Sequence, residues 1–189
     1  LIFASHNVNK VLEIQNILGQ YFHLVSLKDL SFYDDIPETS ATLDGNSKIK
    51  ADTVYKHFKM PCFADDTGLE VDALDGAPGV YSARYGGEEK NADKNMNLLL
   101  QNLEEYSNRK ARFRTVITYK TSSNFCQFEG IVEGVIIHEK RGEGGFGYDP
   151  IFLPEGSDKT FAEMFISEKN EFSHRARAFE KLRIFLCDQ

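Results

Sequence analysis

The chain is poor in the residues that mark several whole classes of protein. It has three cysteines in 189 residues, at positions 62, 126 and 187. The number is odd, and no CxxC or Cys/His spacing is present. Neither a disulfide framework nor a zinc knuckle is indicated, and a reducing cytoplasm fits best. No apolar run approaches the roughly 20 residues of a membrane span, and no signal-peptide pattern precedes the first predicted strand. The chain opens at Leu1 rather than Met, which reads as the loss of a few residues. Basic residues are in deficit, 22 Lys+Arg against 29 Asp+Glu for a formal net charge of -7. That balance argues against nucleic-acid and membrane-surface partners, which require a basic footprint. A phosphate-bearing ligand would need a few lysines and arginines gathered in one place. Internal repeats, low-complexity tracts and linker-like breaks are also missing, so residues 1–189 read as a single domain with a sizeable core.

What is present centres on the stretch around Asp65-Asp66. The apolar run 60–64 ends at two adjacent carboxylates, and the Thr67-Gly68 that follows is a poor continuation of a strand. The acids are therefore expected at a strand's carboxyl end, the edge where ligands bind in open α/β sheets. Two neighbouring carboxylates there repel unless a cation lies between or beside them, and a hard divalent ion such as Mg²⁺ is the usual solution. On the dipeptide alone, two solvated loop acids, or one acid capping the next element, is the stronger reading.

Upstream, residues 1–4 read as a buried strand, and Val11, Ile14, Ile17 and Leu18 follow at helical spacing. The polar loop Ser5-His6-Asn7-Val8-Asn9-Lys10 joins them. Free amides at a helix start together with Lys10 suit a phosphate, although Ser5 or Asn7 could equally be an N-cap. Residues 22–27 read as a second strand, and 28–44 as an irregular acidic loop carrying Glu38. Ala51, Val54, Tyr55 and Phe58 predict a helix over 47–59 with Lys50 near its start, either a surface lysine or one turned into a cleft. Residues 69–74 alternate like a strand, and Met96, Leu99, Leu100 and Leu103 predict a helix over about 92–106. Residues 111–121 and 125–139 read as an antiparallel hairpin entered through the cluster Arg109, Lys110, Arg112 and Arg114, more simply a guarded strand entry than a ligand site. The glycine-rich stretch Gly142-Glu143-Gly144-Gly145-Phe146-Gly147-Tyr148-Asp149-Pro150 suits either a flat ligand stacked on an aromatic ring or a mobile hairpin tip. A last helical segment opens at Ser167-Glu168-Lys169 and runs on through Leu186, with Ser173, His174 and Arg175 in its first turns.

Taken in order, these stretches resemble the Ham1-like family of inosine triphosphate pyrophosphatases. The resemblance is carried by Ser5-His6-Asn7-Val8-Asn9-Lys10, Ala64-Asp65-Asp66-Thr67-Gly68-Leu69, Gly76-Ala77-Pro78-Gly79-Val80-Tyr81-Ser82-Ala83-Arg84-Tyr85, Gly145-Phe146-Gly147-Tyr148-Asp149-Pro150, and Glu168-Lys169 with Ser173-His174-Arg175. It implies an α/β fold, with a long twisted mixed sheet flanked by helices in two lobes around a central cleft. It implies Mg²⁺-dependent hydrolysis of ITP, dITP and XTP to the monophosphate and pyrophosphate by a homodimer. By the same resemblance, Glu38 and Asp66 hold the metal, Asp66 acts as general base with Asp65 assisting, and Lys50 is the lysine of the cleft. Ser5, Asn7, Lys10, Thr67 and Lys169 contact phosphate and sugar. Phe146, Gly147, Tyr148, Asp149, His174 and Arg175 form the base pocket, where Arg175 and His174 are expected to donate to the C6 oxygen of hypoxanthine or xanthine. The chain departs from the family at Asp44-Gly45-Asn46, where many members carry Glu-Asn; Asp44 must stand in for that Glu, or the site does without it. Two other readings compete. One is a pyrophosphatase of modified pyrimidine nucleotides, as in the similarly folded Maf-like family, against which the Gly145 to Asp149 and Ser173 to Arg175 stretches argue. The other is a non-catalytic nucleotide-binding module.

Overall fold

The computed structural model describes residues 1–188. Its seven strands among those residues lie in the order β2-β1-β3-β5-β6-β7, with β4 paired to β3. The strands are β1 (Ile2–Phe3), β2 (Val25–Ser26), β3 (Cys62–Val71), β4 (Pro78–Gly79), β5 (Lys110–Lys120), β6 (Phe125–Ile136) and β7 (Phe152–Pro154). The helices are α1 (Val8–Leu18), α2 (Leu43–Phe58), α3 (Ala92–Asn102), α4 (Ile166–Phe172) and α5 (His174–Cys187). β1 runs parallel to β2 and β3, whereas β3 with β4 and β6 with β7 are antiparallel, so the sheet is mixed. The chain divides into two compact units. One comprises residues 1–66, 115–130 and 175–189, and the other comprises 67–114 and 131–174.

In the first unit the period of two along the strands decides which helix covers which face. Phe3 and Phe63 stack at 4.8 Å and meet Phe179 edge-on, in a core with Ile14 and Leu18 of α1 and Leu182 of α5. Their chain neighbours Ile2, Ala4, Cys62 and Ala64 pack instead with Ala51 and Val54 of α2. Burying Phe63 completely contributes about 1.5–3 kcal/mol, and the same holds for Phe3 across the ladder. In the second unit Leu69 and Val71 pack with Met96 and Leu99 of α3 and with Phe113, Phe152 and Phe161.

Several elements differ from the sequence-based expectation, each for a physical reason. β3 does not stop at the acids but runs unbroken through Asp65, Asp66, Thr67 and Gly68 to Val71. It lies between β1 and β5 and also receives β4 at Leu69 and Glu70, so ladder partners outweigh the weak strand preference of Thr-Gly. Residues 72–74 are a 3₁₀ turn rather than strand, and β2 shrinks to two residues. α2 starts at Leu43 because the Thr42 hydroxyl caps the Gly45 amide at 3.1 Å; apolar periodicity saw only the later turns. α3 ends at Asn102, and Arg109 uses its guanidinium to hold the carbonyls of Leu103, Ile136 and Ile137, a structural job for the basic cluster. The single helix expected at the end is two. Ser173 turns extended (ψ 158°) and its amide closes α4 on Lys169 before α5 begins.

Candidate active site

Because β3 continues through the acids, consecutive carboxylates point to opposite faces of the sheet. Asp65 faces the same side as Phe63, toward α1 and α5; Asp66 faces the same side as Ala64, toward α2. The pleat therefore removes most of the mutual repulsion expected of the pair, and each acid has its own cations.

On the Asp65 face, Lys10 of α1 places Nζ 2.8 Å from Asp65 Oδ2, and Arg175 of α5 places Nε 3.8 Å from the same oxygen. Arg175 also donates through Nη1 to Glu13 Oε2, one helical turn beyond Lys10. All four groups are buried or nearly so. Burial alone would raise the Asp65 carboxyl, but Lys10, Arg175 and Lys50 outweigh it and hold it down at about 2. The same burial lowers Lys10 despite its attraction to Asp65, with the charges of Lys50 and Arg175 adding to the effect.

On the Asp66 face, Lys50 of α2 donates to Asp66 Oδ1 at 2.7 Å and to Glu38 Oε1 at 2.9 Å. Helix α2 is pinned to the sheet one turn earlier, where Ser47 Oγ lies 2.7 Å from Thr118 Oγ1 and Gln127 spans Thr118 and the Asp44 carbonyl. Burial would lower Lys50, but Asp66, Asp65 and Glu38 together raise it. Asp66 goes the other way from Asp65. Burial, reinforced by the Glu38 charge, raises it in spite of Lys50. Two carboxylates contact one ammonium here and Asp65 adds its charge from the other face, so the lysine is over-compensated while Asp66 is not.

The loop before α1 uses its polar groups on itself. Asn7 Oδ1 accepts the amides of Asn9 and Lys10 at 3.0 and 3.2 Å, and Ser5 Oγ accepts the Asn7 amide. Asn7 is thus an N-cap, and two of the amides expected to be free are satisfied by it. Gly45, where the family pattern has a Glu, leaves no room for a side chain, since a Cβ there would collide with Ser40. Asp44 is the second residue of α2, and its carbonyl accepts from Ser47 and Gln127.

The second unit gathers most of the residues expected to read the base. Asp149 Oδ2 accepts the Phe146 amide at 2.8 Å and Lys169 Nζ at 2.7 Å, and the ammonium lies 5.0 Å from the Phe146 ring and 5.2 Å from that of Phe161. Lys169, expected among phosphate contacts, is therefore neighbour to the Phe146 loop. Gly145 and Gly147 take left-handed φ of 69° and 67°, and a Cβ on Gly145 would strike Asp149. Tyr148 is buried in the core and its hydroxyl donates to the Ser82 carbonyl at 2.9 Å. His174 stacks on Phe113 with 4.7 Å between centroids. Thr67 follows Asp66 in β3, half-buried. His174 and Arg175, expected side by side on the purine, are each 2% exposed and diverge. The imidazole goes to Phe113, the guanidinium to Glu13 and Asp65.

Sequence reasoning missed Glu13, Ser82 and Asn95. Nothing in the local pattern marks Glu13, because a lone Glu on an amphipathic helix is ordinarily solvated and its partner Arg175 lies 162 residues away. Ser82 sat inside a quoted motif without a role.

A mixed sheet bearing two carboxylates with lysine partners in one unit, and a glycine-rich aromatic loop in the other, is the chassis of a nucleotide-handling α/β protein. The Ham1 family pattern matches residues 1–185, and the chain belongs to that family. It is 53% identical over 182 residues to a dITP/XTP pyrophosphatase of Flavobacterium johnsoniae, covering 96% of this chain and 95% of that one. It is also 53% identical over 187 residues to the dITP/XTP pyrophosphatase of Porphyromonas gingivalis, covering 98% and 96%. Among solved structures, the Ham1 protein of Coxiella burnetii superposes with a TM-score of 0.91 at 36% identity, covering 100% of this chain and 98% of that one. The Staphylococcus aureus Ham1 protein gives 0.89 at 38%, covering 98% and 96%.

Proposed function

We propose that the chain hydrolyses ITP, dITP and XTP to the nucleoside monophosphate and pyrophosphate, with Mg²⁺ as cofactor, as a homodimer in the cytoplasm. The observation that carries the reaction type is the placement of the two acids on opposite faces of β3, with Asp65 held by Lys10 and Arg175 and Asp66 sharing the Lys50 ammonium with Glu38. An acid locked between two cations is suited to stay a fixed anion, and one beside a second carboxylate is suited to hold a cation and take a proton. The name and near-complete coverage of the dITP/XTP pyrophosphatase relatives support the substrate class.

Pyrophosphatases of this family typically use a divalent metal. Glu38 and Asp66 fit one, since both are hard oxygen donors already converging on a single cation, the Lys50 ammonium. Such an ion takes one or two carboxylates and completes its shell with water and phosphate oxygens. When bound, such an ion offsets charge on the phosphates. In the reaction Asp66 accepts a proton from water as the water oxygen bonds to the α-phosphorus. The bond from that phosphorus to the bridging oxygen breaks, and pyrophosphate leaves with the electron pair. Lys10 and Lys50 balance phosphate charge, and Asp65 keeps Lys10 and Arg175 in place. Phe146, Gly147, Asp149 and Lys169, all of the second unit, are the residues that would contact the base.

The test is pyrophosphate release across ITP, dITP, XTP, ATP, GTP and dUTP, with Mg²⁺ and with chelator. Preferential, Mg²⁺-dependent release from the first three supports the reading. Equal turnover of ATP, or release unaffected by chelator, overturns it. Light scattering at about twice the 21.5 kDa chain mass is the expected assembly result.

A further inference from the structure

Resting on that reading of the substrate, we propose that residues 78–85 and Asn95 are the scaffold that fixes the nucleobase loop 145–149 through Tyr148. Ser82 and Asn95 are then positioning residues for base discrimination.

The loop is intrinsically loose. Residues 142, 144, 145 and 147 are glycine, and three of them hold positive φ, so the unliganded backbone has many conformations to choose from. Asp149 can hold Phe146 and Lys169 in one arrangement only if Asp149 itself is fixed. Its chain neighbour Tyr148 does the fixing. The ring is 3% exposed in the core of the second unit, and the hydroxyl donates to the Ser82 carbonyl at 2.9 Å. Burial pushes the Tyr148 phenol well above its ordinary value, so it remains a donor at any working pH.

The acceptor is itself immobilised. Ser82 Oγ accepts the Leu69 amide of β3 at 2.9 Å and donates to the Gly79 carbonyl at 2.6 Å. Asn95, 4% exposed on α3, donates to the carbonyls of Ser82 and Ala83 at 3.3 and 3.0 Å and accepts the Gly86 amide at 2.6 Å. Hydrogen bonds thus run from β3 and α3, through Ser82, to Tyr148, and the peptide bond carries the path on to Asp149, which accepts from Phe146 and Lys169. Every member lies in one compact unit. Sites recognise bases by hydrogen bonds whose value depends on exact placement, so loosening this path degrades discrimination before it degrades phosphate chemistry.

Tyr148→Phe keeps the ring and removes the hydroxyl. The expected result is a roughly fivefold fall in the ITP:ATP ratio of kcat/KM, since a buried neutral hydrogen bond is lost. Inhibition by inosine monophosphate weakens by a similar factor, and inhibition by inorganic pyrophosphate is unchanged. Asn95→Asp, which keeps the acceptor for Gly86 but replaces the donor to Ser82 and Ala83, shifts both readouts the same way. Tyr106→Phe, a hydroxyl deletion on an exposed side chain outside this path, leaves the ratio unchanged. A purely structural role predicts a lower melting temperature with the ratio and the monophosphate constant within twofold of wild type, and that result overturns the proposal. If the wild-type panel selects a different base, the ratio is taken between that base and the poorest one. The substrate assignment and the scaffold then fail separately.

Discussion

Replacing Lys50 by Met isolates the electrostatics of the Asp66 face. The change keeps an unbranched side chain, one atom shorter, and removes the ammonium that sits 2.7 Å from Asp66 and 2.9 Å from Glu38. Breaking a buried ion pair ordinarily costs about 3–5 kcal/mol because a charge is left uncompensated. Two features lower the cost here. The Glu38 side chain is 35% exposed and reaches water, and Asp66 is already raised by burial and takes up a proton. A loss of about 2–3 kcal/mol at pH 8 is expected, or roughly 5–10 °C in melting temperature for a chain of this size. The loss depends on pH with a definite sign. Without Lys50 the folded-state pKa of Asp66 rises further above its unfolded value. The folded protein then binds the extra proton between those two values, and stability falls as pH increases through that window. The gap between wild type and Lys50→Met therefore widens from pH 5 to pH 8 in melts run with chelator. Adding Asp66→Asn to Lys50→Met removes the orphaned anion and recovers most of the loss at pH 8. Melting curves for wild type and Lys50→Met that stay parallel across this range would refute the electrostatic account, as would a double variant no better than the single.

Asp66→Asn alone preserves shape and removes the proton acceptor, so kcat for ITP drops by about 10² or more while the fold is retained; near-normal turnover rejects the assignment. Glu13→Gln leaves buried Arg175 with less compensation and destabilises by about 1–3 kcal/mol in denaturant titration, whereas Glu13→Leu combined with Arg175→Met regains stability without activity. Asp65, held at about 2 in the fold, contributes about 2 kcal/mol of stability. That contribution is complete above the unfolded value near 4 and disappears as pH falls from there to about 2. Asp65→Asn should show a flatter acid-unfolding curve over that interval, and an unchanged slope contradicts the depressed value.

The apolar periodicities of α1, α2, α3 and α5 and the hairpin of β5 and β6 were legible in the sequence because each buries one face and so repeats at its own period. The charged residues of the first unit were legible by type but not by partner. Lys10 pairs with Asp65 and Lys50 with Asp66 across 55 and 16 positions, and local pattern carries no information about such pairings. The clearest misreading was the end of β3. Thr67-Gly68 looks like a stop when read alone and becomes ordinary strand once neighbours on both sides supply hydrogen bonds. The break at Ser173 was hidden for the opposite reason. The apolar positions on either side keep helical spacing, so nothing in the period signals the single extended residue between two helices.

The unbroken course of β3 has a consequence for how tolerant this segment can be of change in length. Its two acids occupy consecutive rungs, and the only thing that assigns one to Lys10 and the other to Lys50 is parity along the strand. Removing a single residue from 60–64 while β1 and β5 kept their grip would swing Asp66 round to the arginine side and bring Thr67 opposite Lys50. The ammonium would then face a hydroxyl, and the proton acceptor would become a strong, permanently ionised acid. Substitution can be absorbed here gradually, but loss of one residue gives the place of Asp65 to Asp66 and that of Asp66 to Thr67 at a stroke.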